Sequence, residues 1–144
     1  MPLGLVVKTV SYQRVVMVDL TDVPISEWCL NLCLLKEELV DTLVFLVGKQ
    51  KLKFEIANIE GSAGAHVFLH SNEVHVKVHP AELECWVNFF LQYYRDGVAE
   101  VDHIDVEALT IGKEPEDTYI IFTVKDALPG MSSEEARKML DKYD

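Results

Sequence analysis

Four of the five histidines, His66, His70, His75 and His79, fall in one short stretch of the chain. Imidazole is the commonest side-chain metal ligand and titrates near neutral pH. His66, Phe68 and His70 alternate with Val67 and Leu69, and His75, Lys77 and His79 alternate with Val74, Val76 and Val78. Two strands with that alternation put all four imidazoles on one face of a hairpin. Loop length then decides which rings meet. A four-residue loop, Ser71 to Val74, sets His70 opposite His75 and His66 opposite His79, whereas a two-residue loop sets His75 opposite Phe68. One cross-strand pair with a carboxylate from Asp102, Asp105 or Glu107 would give Zn²⁺ or a similar divalent ion a ligand set. Histidines four apart on one strand stand about 13 Å apart, so one ion cannot take all four. The competing readings are polar side chains of a half-exposed sheet, with no cofactor, and a surface whose charge responds to pH.

The second chemical feature is negative charge. Between Asp96 and Asp117 the chain carries eight carboxylates against Lys113 alone, within a whole that has 13 basic and 24 acidic residues and a formal net charge of −11. Such a surface repels phosphate backbones and anionic lipid, which disfavours direct nucleic-acid and membrane binding, and steers a basic protein towards it. The residues expected to meet that partner are Asp102, Asp105, Glu107, Glu114, Glu116 and Asp117. Catalytic motifs are thin. There is no Gly-x-Ser-x-Gly elbow and no His-Glu-x-x-His. Asp102-His103-x-Asp105 offers a carboxylate to orient a histidine base, without a nucleophile beside it. No strand is followed by the glycine fingerprint of a dinucleotide or phosphate loop.

These residues need elements to hold them. Leu5 to Val10 and Arg14 to Leu20 read as two strands. Ile25 to Val40 reads as a helix capped at Ser26, with Trp28, Leu32, Leu35 and Leu39 as its apolar stripe, although a strand over its first half has a similar pattern. Thr42 to Val47 and Gln50 to Ile59 flank Gly48-Lys49, a glycine-first turn of type II′ that pairs Val47 with Gln50. Ala65 to His70 and Val74 to His79 form the histidine hairpin. Pro80 opens an amphipathic helix with Leu83, Trp86, Val87, Phe90, Leu91 and Tyr94 on one face, closed by Gly97. His103 to Ile111 and Thr118 to Lys125 are strands, and a capping box at Ser132 and Glu135 starts a third helix to Tyr143.

The chain has 144 residues, 49% of them hydrophobic. A chain of this length buries about two-thirds of its unfolded surface, enough for one core without staples. The expectation is one α+β domain spanning 1–144, an antiparallel-rich β-sheet carrying about three helices in the order ββ-α-ββββ-α-ββ-α. Cys29, Cys33 and Cys85 are odd in number and read as buried thiols of a reducing compartment. No apolar run nears the roughly 20 residues of a membrane span, and Met1 to Val7 lacks a signal peptide's basic flank, which points to the cytoplasm.

In size and charge the chain is similar to small intracellular inhibitors and to immunity or antitoxin proteins that cover a basic enzyme. The expected function is therefore a non-enzymatic interaction protein that binds a basic partner. The alternative is a metal- or small-ligand-binding, hydrolytic protein built on the histidine face. Self-association through an exposed edge strand or aromatic surface, as a homodimer, is a third role.

Overall fold

The computed structural model describes residues 2–61, 63–96 and 103–124. The strands are β1 (Gly4–Val10), β2 (Gln13–Asp19), β3 (Leu43–Val47), β4 (Gln50–Ile56), β5 (Ala65–His70), β6 (Glu73–Val78), β7 (His103–Thr110) and β8 (Glu116–Thr123), with helices α1 (Ile25–Lys36) and α2 (Pro80–Asp96). All eight strands join one sheet in the order β1-β2-β8-β7-β5-β6-β4-β3, curled into a half-barrel.

Strands β1 and β2, β3 and β4, β5 and β6, and β7 and β8 form antiparallel hairpins, and β4 pairs with β3 from Val47↔Gln50 back to Leu43↔Phe54. Gly48 has φ +61° and Lys49 does not have a positive φ, as a type II′ turn requires. The hairpins meet along three parallel seams, β2·β8, β4·β6 and β5·β7. This corrects the expectation of an antiparallel-rich α+β sheet. Short connections do make antiparallel neighbours within a hairpin, but they do not govern how one hairpin docks on the next. Strand also dominates, at 47% of the described residues. Two helices, not three, stand among those residues. The third expected helix, Ser132 to Tyr143, lies outside them, as do Gly97 and Asp102.

Both helices lie on the same face of the sheet. Trp28 from α1 is fully buried and its ring meets Phe45 at 5.3 Å, Phe90 at 5.8 Å and Phe122 at 5.9 Å between centroids. Trp86 from α2 meets Phe122 at 4.9 Å. Such pairs add about 0.5–1.5 kcal/mol each beyond the area they bury. Inward residues of every strand complete this core, among them Val16, Val18, Leu52, Val67, Val76, Val106 and Ile120.

Helix α1 stops four residues before the expected Val40. Glu38 takes a left-handed φ of +56°. The Glu38 N–H donates to Leu35 O and the Leu39 N–H to Leu34 O, which is the Schellman stop with glutamate where glycine is usual. Leu39 consequently leaves the apolar stripe and is 72% exposed. At the other end Pro24, not Ser26, is the N-cap residue, and no side chain caps the helix.

Candidate interaction face

The sheet face opposite the helices carries the residues singled out by their chemistry. Period-two alternation places Asp105 and Glu107 of β7, Asp117 and Tyr119 of β8, His66, Phe68 and His70 of β5, and His75 and Lys77 of β6 on it. Charge on this face is divided. The β7–β8 half is acidic, and the β4–β6 half carries Lys51, Lys53 and Lys77 against Glu55 and Glu73.

In the acidic half Glu107 stands opposite Tyr119 and Asp117 opposite Leu109, so the two carboxylates are diagonal neighbours. They line one groove of about 380 Å³, with Tyr119 and Leu109 beside them and Gln13, Gly61 and Ala63 at its lip. Gly64 holds that lip in place. Its N–H donates to Glu107 O at 3.1 Å, and its carbonyl accepts the His79 N–H at 3.0 Å. A Cβ at Gly64 would sit 2.7 Å from the Glu82 carboxyl group. Glu82 accepts the Trp86 indole N–H at 3.0 Å, so a side chain at position 64 would have to displace that carboxyl group from its partner.

The expected acidic set thus divides. Glu107 and Asp117 share the groove, and among the described residues neither has an ion-pair partner. Asp105 lies beyond it on β7, 3.8 Å from His103 Nε2. Glu116 is turned away and binds Arg14, with Oε2 3.1 Å from Nη2. Glu114 is exposed in the loop before β8, lining a second hollow with Thr110, Gly112, Lys113 and Glu116.

The histidine hairpin has the two-residue loop. His70 pairs with Glu73, Phe68 with His75 and His66 with Lys77, so no histidine faces another across the strands. His75 Nε2 lies 2.9 Å from Glu55 Oε1, at an angle that makes no hydrogen bond, and Lys77 Nζ is 3.7 Å from the same oxygen. Lys77 also sits over the Phe68 ring at 5.2 Å. His79 belongs to the helix instead. Its Nδ1 accepts the Ala81 N–H at 3.1 Å and its carbonyl accepts the Leu83 N–H, so it caps α2. Among the described residues, no three His, Cys, Asp or Glu side chains converge as a metal site would need.

The thiols are unpaired, and only Cys29 is buried. Burial, helped by Cys33 one turn away, pushes its pKa up to about 11. Cys33 is half-buried and Cys85 is exposed on α2, which corrects the expectation that all three are buried. No helix among the described residues is long and apolar enough to cross a membrane.

The groove was invisible in the sequence because its wall and lip come from three distant segments. Only the carboxylates gave a signal. Comparison with protein-family models, with curated proteins and with solved structures finds no match.

Proposed function

We propose that this protein is a non-enzymatic interaction protein that binds a basic partner through the β7–β8 half of its outward face. The observation that carries the reading is the pairing of Glu107 and Asp117 in one groove with the Tyr119 ring. Two carboxylates with no ion-pair partner among the described residues, beside an aromatic ring, suit a lysine or arginine side chain, which gains charge-assisted hydrogen bonds and a ring contact. Asp105 and Glu114 extend the negative field and accelerate encounter with a basic surface. Glu116, already held by Arg14, contributes field but no contact. Inhibition of a basic enzyme is the role we favour, and three unpaired thiols support a cytoplasmic setting.

The test is an NMR titration of the protein with an arginine-rich peptide, with a glutamate-rich peptide of equal length as control. The expected result is a set of amide shifts centred on Glu107, Leu109, Asp117 and Tyr119, abolished in the Glu107→Gln/Asp117→Asn variant and by high salt. Shifts spread evenly over the surface, or unchanged in that variant, would overturn it. The variant itself keeps its fold, with a stability change within about 0.5 kcal/mol, because both side chains are exposed.

A further inference from the structure

We propose that β3 is the contact strand of a two-fold homodimer, in which two copies of the chain continue one sheet across their β3 edges. The proposal is independent of the acidic groove, which lies four strands away in the sheet order.

Strand β3 ends that order, so among the described residues one side of its backbone has no neighbouring strand. The phase of the hairpin shows which groups are left over. Val47 and Gln50 close the two-residue turn as a mutually bonded pair, and alternation then aims the N–H and C=O of Leu43, Phe45 and Val47 at β4. The Lys51 N–H fixes the same phase from the other side, since it donates to Asn72 O at 2.8 Å, towards β6 and away from β3. Val44 and Leu46 therefore direct their N–H and C=O groups to the open edge.

The side chains leave that edge unprotected. Val44 is 50% exposed and Leu46 70%. Edge strands are ordinarily blunted by lysine, proline or a bulge, and Leu43 to Val47 has none of these. The opposite edge, β1, carries Lys8.

One antiparallel register satisfies both copies. A two-fold axis at Phe45 pairs Val44 with the partner's Leu46 and Leu46 with the partner's Val44. Each such pair exchanges two backbone hydrogen bonds, and the exposed apolar side chains cover one another. Shifting the axis to Val44 or Leu46 would leave one of these two residues opposite itself and the other facing the end of the strand. The same register brings the Asp41 end of β3 towards the partner's Gly48–Lys49 turn, within reach of the long Lys49 side chain, twice by symmetry, and both residues are exposed. The edge is thus complementary to itself in backbone, in apolar side chains and in charge, as an isologous interface must be.

Sedimentation velocity of the whole chain tests this over about 10 µM to about 1 mM, because a strand-edge contact lies at the small end of interfaces. The wild type is expected to shift from monomer to dimer across that range. Leu46→Lys should abolish the shift with the thermal midpoint retained, as its side chain lies outside the core. Asp41→Lys and Lys49→Asp, each placing like charges together, should each weaken dimerisation at least about tenfold. An equimolar mixture of those two variants should restore it, since each then meets its opposite charge. A wild type that stays monomeric throughout would overturn the proposal and leave the edge for an extended segment of another protein. A dimer that survives Leu46→Lys, or a mixture that fails to recover, would place the contact elsewhere and overturn it equally.

Discussion

The two faces of the sheet are made from the same strands, alternate residue by alternate residue, yet they are built to different rules. The face under α1 and α2 is apolar, closed and crowded with rings, whereas the opposite face is mixed in charge and half-open. Phe122 is fully buried, while its neighbours Ile121 and Thr123 are only half-buried. The core and the proposed binding surface are thereby separated by a single step along a strand. Substitution under the helices should move the folding equilibrium most, and on the open face it should move it least.

The widest gap between the faces is expected at Phe122, which touches Trp28, Phe54, Trp86 and Phe90. Phe122→Ala should cost about 3–5 kcal/mol in urea denaturation. A loss below about 1 kcal/mol would mean that the ring cluster is not the centre of the core.

A smaller effect, with a defined asymmetry, is expected at the one buried hydroxyl pair among the described residues. Thr110 Oγ1 and Thr118 Oγ1 are 2.6 Å apart, and Thr118 Oγ1 donates its hydrogen to Glu116 O at 3.0 Å. Thr110 must therefore be the donor to Thr118. Thr118→Val strands the Thr110 hydroxyl and should cost about 1–3 kcal/mol, whereas Thr110→Val leaves Thr118 bonded and should cost less. The double variant should cost less than Thr118→Val alone, and equal losses for the two single changes would refute the assigned direction.

The smallest effect is a pH dependence on the open side. Asp19 accepts from the Thr21 backbone N–H at 2.9 Å and the Thr21 hydroxyl at 2.7 Å, which hold its carboxyl below its ordinary value of 3.8. A depressed folded pKa contributes stability that is present above 3.8 and disappears as pH falls through the lower folded value. The Asp19→Asn variant should accordingly lose less stability than wild type between neutral pH and strong acid. Parallel losses in the two proteins, followed by chemical denaturation at each pH, would show that these hydrogen bonds add nothing.

What the sequence made legible was local. Gly48 declares its turn, and Val47 with Gln50 follows from it. Valine alternation placed the inward residues of β5 and β6, and Pro80 with the Leu83, Trp86, Phe90 stripe marked α2. Elsewhere unusual residues took over geometry that glycine normally supplies. Ser11 and Tyr12 turn the first hairpin with positive φ values of 48° and 67°. Glu38 ends α1 in the same left-handed region, which is why the helix stops short of Val40. The parallel seams left no trace, because the contact of Arg14 with Glu116 depends on how whole hairpins dock. For the same reason the acidic run was readable as charge, but its sorting into groove, open face and ion pair was not.

The seam between β2 and β8 also bears on how the molecule is made. Arg14 waits for Thr118, and at about 5–20 residues per second the ribosome needs roughly 5–20 s to supply the intervening stretch of about 100 residues. Hairpins such as β1–β2 form in microseconds, but an isolated two-stranded hairpin is marginal in water, so during that interval β2 lacks the parallel neighbour that fixes it in the sheet. The β1–β2 hairpin therefore takes its place in the sheet only once β8, the last described strand, emerges.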